Sequence, residues 1–540
     1  MALQYRSKVD YAQIIAGNRE GINLGLDGSI FIRKEATERV FNPPRIGTQG
    51  SSVSAVSGSI DISIEPTPGE IDISVDGGAI VTASITTAGL TTGLLIAAAL
   101  ELAINTALSA GGQDARVWVA FNAGGPDQYT VWSQSTGITS SVVITDGTTN
   151  NLADDLNLGT GNAGTEVVGT DDQDFLLFTT GGPTFDQPVE SNAHRTGRFH
   201  NDIIRQKKVA EFDIDTMINM EGSAGDSLDT AVRLLLLSGF GTETVTAATS
   251  IDYTQGLPNL TFSMVRVSTI FAEYYTGGYV RDMTLDVPGD APGTMKYTGK
   301  LADSQIAGIG QINGVVAAST SIVLDDTINK HVLRYTVGAR VMVVSADGRT
   351  ITAGADGSLL VSIITEGSDT VDVSAPIDAE DDGFLVPWHP GAVQQSGKDN
   401  IFTDLEGSFK FDVSGNEVCA TNINVGLVND HVDLDNCFGT DTNKGFAAGN
   451  RLTITVGVTL DLSNENFGDL VQARKFGGLS GELVIGNPAS GRKLTLTFPK
   501  WIVGLPTIDL PENGVTPVTF EGILYQSSAG ARDPILWSYT

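Results

Sequence analysis

The sequence predicts a mainly β protein: an antiparallel β sandwich or barrel core with a flanking helix, carrying two inserted small domains, one α+β and one β. Three observations lead there. Apolar and polar residues alternate strictly in many short runs, the period of a half-buried strand. Glycine is abundant, 63 of 540 residues, and Thr, Ser, Asn and Asp fill the gaps between apolar runs, a mixture that favours strands joined by turns. Helical periodicity is confined to a few short stretches. With 540 residues the chain exceeds one comfortable core, so several domains are expected.

The clearest alternation is Leu452-Thr453-Ile454-Thr455-Val456-Gly457-Val458-Thr459-Leu460. Residues 60–64, 71–75, 409–413 and 494–498 repeat it, with one oily face and one face of Thr, Ser, Asp and Lys. That pattern suits antiparallel sheets with one wet face, not a parallel sheet buried on both sides. Three helices are expected. One follows Asp226 as its cap, presents Leu228, Val232, Leu235 and Leu236 on one face, and stops at Gly239, with Asp226 and Asp229 at the positive end of its dipole. A second runs from about Thr92 to Leu108 and ends at Gly111-Gly112. A third covers Leu152 to Leu156.

Composition divides the chain into five stretches. Residues 1–65 read as an N-terminal arm and first core strands, and 66–170 as an inserted α+β module entered through Glu65-Pro66-Thr67-Pro68-Gly69. Residues 171–305 form part of the core, 306–398 an inserted small β domain with turns at 346–348 and 355–357, and 399–540 the C-terminal part of the core.

Compact chemistry is hard to find, and the expectation is that the protein is not an enzyme. Gly159-Thr160-Gly161-Asn162-Ala163-Gly164 matches the dinucleotide-binding glycine pattern, but a helical stretch precedes it and a strand-like one follows. That order is the reverse of what places a phosphate on a helix N-terminus, so it reads as a turn. His194 and His200 lack a Cys or a spaced carboxylate to complete a metal site. Asp433, Asp435, Asp441 and Asn443 lack the twelfth-position carboxylate of a calcium loop, because that place holds Leu452. No G-x-S-x-G elbow, Walker loop or H-E-x-x-H occurs. No cofactor and no metal are expected.

The chain carries 64 Asp+Glu against 32 Lys+Arg, a formal net charge of −32. Such a surface repels nucleic acid and anionic membrane and keeps a strand-rich chain soluble. The segment 195–208 opposes this trend with Arg195, Arg198, Lys207 and Lys208. It reads as a contact patch for an acidic neighbouring subunit. Cys419 and Cys437 are the only two cysteines, too few for a disulfide scaffold; two buried thiols or one bridge remain open. The N-terminal twenty residues show no apolar core of signal-peptide length. The best apolar run, Leu94 to Leu108, is interrupted by Glu101 and Asn105, so a packed helix is expected in place of a membrane span.

The C-terminal half resembles the tail tube proteins of long-tailed bacteriophages. The matching course is Lys208-Val209-Ala210-Glu211-Phe212, then Ser227-Leu228-Asp229 with 235–240, then 279–286 and Pro292-Gly293-Thr294-Met295-Lys296-Tyr297-Thr298-Gly299. It continues through 409–413, 445–460, 482–486, 492–499 and 518–525. The insert at 66–170 is similar to small modules of phage tail and flagellar hook-associated proteins, through Ile104-Asn105 and the closing Ala153-Asp154-Asp155-Leu156-Asn157-Leu158-Gly159. The resemblance implies a virion structural protein that forms stacked hexameric rings, assembled in the host cytoplasm. Its partners would be further copies of itself, the tape measure, terminator and baseplate proteins, and a sheath in a contractile tail. DNA would be transient cargo sliding past an acidic wall, and no membrane would be involved. This chain is longer than many tail tube subunits, and both inserts are expected to face outward. The alternatives are another tail structural protein (sheath, baseplate or accessory) and a secreted β-rich adhesin, for which no export signal is visible. A carbohydrate-active virion protein would need paired carboxylates in an aromatic cleft, and aromatics make up only 7% of residues.

Overall fold

A computed structural model describes residues 3–4, 29–36, 40–43, 51–55, 61–113, 117–122, 128–133, 140–168, 174–176, 178–186, 189–191, 195–196, 199–200, 203–205, 209–218, 230–246, 249–257, 260–268, 270–289, 291–325, 331–346, 350–354, 357–390, 408–411, 420–433, 446–447, 452–461, 478–487, 492–504, 507–508, 517–528, 531 and 533–540. The chain is mainly β, and its strand pairs are antiparallel.

The largest unit has two layers joined at a shared strand. In hydrogen-bonded order, the first layer runs Thr180–Asp186, Val209–Met217, Thr294–Leu301, the second half of Phe271–Pro288, Ala420–Asn429, Leu452–Asp461 and Pro517–Tyr525. Strand Arg492–Val503 turns the corner: its Lys500–Val503 end pairs with Pro517–Tyr525, and its other end pairs with Leu536–Tyr539. Leu536–Tyr539 continues the second layer to Ser250–Gln255 and Gly241–Thr246, while Leu479–Asn487 and Ser408–Phe411 extend it on the other side. Leu285, Val425, Val456 and Phe520 of the first layer share a core with Leu483, Leu496 and Trp537 of the second.

Helix Thr230–Phe240 plugs this core with Leu235 and Leu236. It passes through Gly239, the expected stop, and ends one residue later, before Gly241 at φ +89°. Gly239 serves packing instead, since a Cβ there would lie 2.5 Å from the Met283 methyl. Its carbonyl accepts from the Asn429 side chain at 2.8 Å, and the Phe240 carbonyl accepts from the Gly256 N–H at 2.7 Å, so two orphan acceptors of the last turn are satisfied. Asp226 and Asp229 lie outside the described residues.

Phe271–Pro288, 18 residues long, serves two sheets. Its first half pairs with Phe262–Val267 and Asp303–Gly308, and Phe262–Val267 pairs in turn with Ser29–Lys34. Both faces of this small sheet are buried: Ile30, Ile32, Met264 and Tyr275 face the main core, while Phe31, Val265 and Tyr274 face a second core built mostly from 307–388. Tyr274 donates to the Trp388 carbonyl at 2.7 Å across that join, and this small sheet supplies one wall of the second core.

The third core draws on residues 62–158. Gly69–Val75, Val81–Ile85 and Val142–Asp146 form one sheet; Val117–Asn122, Gln128–Ser133, Ser51–Val53 and Thr165–Val167 form another. Strand Ser51–Val53, expected in the arm, therefore pairs within this module. Residues 61–64, expected to be strand, form a turn: the Asp61 carboxylate accepts the Ser63 N–H at 2.9 Å and Ile64 is 87% exposed. An aspartate two residues ahead of a free N–H closes an Asx-turn, which competes with strand pairing.

Helix Gly93–Ala110, capped by the Thr92 hydroxyl, is long and apolar enough by composition to cross a membrane. Here it lies on the module, burying Ile96, Leu100, Ile104 and Leu108. The two polar residues that interrupt its apolar run tie it down: Glu101 accepts from the Val119 N–H at 3.1 Å, and Asn105 both accepts from and donates to Val117, at 2.9 and 3.0 Å.

Candidate assembly surfaces

Alternation gives the first layer an oily inner face and a wet outer one. Along Leu452–Asp461, Ile454, Val456, Val458 and Leu460 point into the core, which leaves Thr455, Gly457 and Thr459 outside. Register then aligns neighbouring strands. Asp286 pairs with Asn424, Asn424 with Gly457, and Gly457 with Glu521, one cross-strand row with a carboxylate at each end. The two acidic positions stand three strands apart, about 14 Å at ~4.8 Å per strand. The adjacent row is Asn422, Thr459 and Thr519, whose last two hydroxyls lie 3.0 Å apart.

These rows line a groove of about 470 Å³ with no Lys, Arg or aromatic side chain among its described residues. Gly457 forms its floor, where the nearest neighbours of an added Cβ would be 3.8 Å away, so the backbone stays open to approach. Asp286 and Glu521 have no hydrogen-bond or ion-pair partner among the described contacts, whereas other carboxylates are engaged. Asp213 holds Lys296 at 2.8 Å and Glu243 holds Arg233 at 2.7 Å. The groove was not foreseen from the sequence, because its members come from four strands whose register no local pattern reveals.

The second surface is a ribbon. Thr180–Asp186 pairs with Val209–Met217, and the same antiparallel course continues past the sheet through Val189–Ser191 with Ile203–Arg205 and Arg195–Thr196 with Phe199–His200. Beyond Asp186 the two strands pair, among the described residues, only with each other. The described pairs run from Asp186 with Val209 to Arg195 with His200. Of the four cations expected at a subunit contact, Arg195 lies in the outermost strand pair. Arg198, Lys207 and Lys208 fall outside the described residues.

A third cluster is structural. Arg233 donates to both Glu243 oxygens, at 3.2 and 2.7 Å, and the Tyr253 hydroxyl donates to Glu243 at 2.7 Å, tying the helix to the hairpin 241–255. Burial, then the adjacent carboxylate, pushes the Tyr253 hydroxyl well above the usual tyrosine range.

The glycine run 159–164 forms a turn containing the short 3-10 helix Thr160–Asn162, and strand Thr165–Val167 follows. The Asn162 amide donates to Asp146 and to the Leu158 carbonyl, so it serves the fold. Among the described residues no group of three or more His, Cys, Asp or Glu is placed to hold a metal ion. His194, Asp435, Asp441, Asn443, Cys419 and Cys437 lie outside them.

No family model matches the sequence, and no curated protein matches it. Among solved structures the chain is similar to the flagellar cap protein FliD. The D2-D3 domains from Escherichia coli align at 14% identity over 24% of this chain and 57% of that one, with a TM-score of 0.15. FliD from Bdellovibrio bacteriovorus aligns at 11% identity over 34% and 76%, also with a TM-score of 0.15. The chain thus spans just over half the length of the first of these structures, and at these scores neither a shared fold nor a shared function follows.

Proposed function

We propose that the protein is a virion structural subunit of a phage tail tube, built by stacking hexameric rings through which DNA is delivered. The observation that carries this reading is the ribbon beyond Asp186 and Val209. A lone two-stranded hairpin is marginal in water, so an element of this length calls for a partner surface. The acidic balance supports the reading in a second way, because a wall of net negative charge lets a phosphate backbone pass without adhering. No catalytic role is proposed.

Negative-stain electron microscopy of the purified chain over a range of concentrations tests it. Six-fold rings or hollow tubes are expected; monomers at every concentration would remove the self-assembling tube and leave an accessory tail protein. Charge reversal at Arg195, Arg198, Lys207 and Lys208 is expected to leave the monomer folded by circular dichroism and to block stacking.

A further inference from the structure

We propose that the cationic ribbon of one copy seats in the groove around Gly457, between Asp286 and Glu521, on a second copy of the chain; this rests on the assembly reading above.

Charge supplies the first argument. Segment 195–208 holds Arg195, Arg198, Arg205, Lys207 and Lys208 against Asp202, net +4, so the rest of the chain carries −32 − 4 = −36. Two such chains repel one another over most of their surfaces, and the ribbon is where attraction is available. The groove is a suitable acceptor because its two carboxylates face no cation among the described residues, whereas Asp174, Asp213, Glu243, Glu273 and Glu482 already face Arg33, Lys296, Arg233, Arg266 and Lys410. Its volume of about 470 Å³ has room for long side chains, and Gly457 lets a backbone come close.

Geometry supplies the second argument. The ribbon leaves the first layer at Val209, the end of the sheet where Ala210 pairs with Leu301. The groove row lies at the opposite end, because Met217 pairs with Thr294, Thr294 with Asp286, and Asp286 with Asn424. Val209 and Met217 are about 26 Å apart along their strand. The strand end that leads into the ribbon and the groove row therefore sit at opposite ends of one sheet. Such a head-to-tail contact is heterologous, and it builds an open stack when the rotation between copies does not close a ring.

Sedimentation velocity on the full chain tests the pairing, with circular dichroism confirming that each variant is folded. Asp286→Lys with Glu521→Lys, and separately Arg195→Glu with Arg205→Glu, are each expected to weaken self-association at least tenfold. The two variants carry complementary charges at both halves of the contact, so an equimolar mixture is expected to co-assemble in alternation, and combining all four changes in one chain is expected to restore stacking. Should the lysine pair unfold the protein, the near-isosteric Asp286→Asn with Glu521→Gln replaces it, with the same tenfold weakening expected. Normal stacking by a folded groove variant would overturn this interface while leaving the tube reading intact. Monomeric wild-type protein at all concentrations would overturn both.

Discussion

Glu35 is 5% exposed and follows strand Ser29–Lys34, beside the bend in Phe271–Pro288. Its Oε1 accepts from the Gly277 N–H at 2.8 Å and from the Ser263 hydroxyl at 3.0 Å. Gly277 sits at φ +64°, where the strand leaves one sheet for the other and its N–H has no ladder partner to bond. A single carboxylate thus fixes the corner on which two cores depend. Glu35→Ala leaves two buried donors unsatisfied and is expected to cost about 2–4 kcal/mol; urea unfolding would show it, and an unchanged midpoint would remove Glu35 from this role. His389 is a second residue with a global readout. Both its ring nitrogens are shielded from solvent, and burial pushes the imidazole down to about 4. The folded value lies below the unfolded one of roughly 6.5, so the unfolded chain takes the proton first. The contribution of His389 to stability is complete above about pH 6.5 and is lost as pH falls toward about 4. Thermal unfolding of His389→Gln should therefore lose less stability than wild type between those values, and parallel curves would contradict the assignment.

At the level of elements, the sequence was readable where one face is wet. The alternation at 452–460 is strand Leu452–Asp461, and the run at 71–75 lies in strand Gly69–Val75. It misled at 60–64, where the same period occurs but Asp61 closes a turn on Ser63. Strand Ser29–Lys34 escaped notice because both its faces are covered, by Ile30 and Ile32 on one side and Phe31 on the other, which erases the period of two. The ribbon was legible only as charge, since Gly197 and its polar neighbours read locally as loop. The groove was not legible at all, being a product of register. Two glycine and amide positions show what such hidden geometry costs. A Cβ at Gly299 would run into the Tyr279 carbonyl oxygen and the Phe212 ring, so Gly299→Ala is expected to destabilise by about 2–3 kcal/mol in chemical denaturation, against near neutrality if the strands separate freely. Asn105 mimics a strand neighbour by pairing with both backbone groups of Val117. Asn105→Leu would make helix Gly93–Ala110 more uniformly apolar, yet it is expected to loosen its docking by about 1–3 kcal/mol. Faster hydrogen exchange at Val117 is the readout, and unchanged protection would argue that apolar packing alone holds the helix.

Across the whole molecule, two electrostatic effects of opposite sign would act on the proposed assembly, and their ranges differ. Repulsion between copies, each at −32, is spread over whole surfaces and acts across tens of ångströms. The proposed contact between ribbon and groove acts over a few ångströms and is partly enclosed by the walls around Gly457. Salt distinguishes them, because the screening length falls from roughly 30 Å at 0.01 M to roughly 8 Å at 0.15 M. Over that interval the long-range repulsion collapses while a seated ion pair loses little. Assembly is therefore expected to become faster and more complete as salt rises from about 10 to about 150 mM, followed by light scattering. Toward 1 M, with a screening length of about 3 Å, the contact itself weakens and the gain should reverse. The groove variant Asp286→Asn with Glu521→Gln lacks the short-range attraction, so any association it retains should rise with salt throughout and show no reversal. A wild-type response that only falls with added salt would mean that attraction dominates at every range, and the acidic surface would then not be what limits the approach of one copy to another.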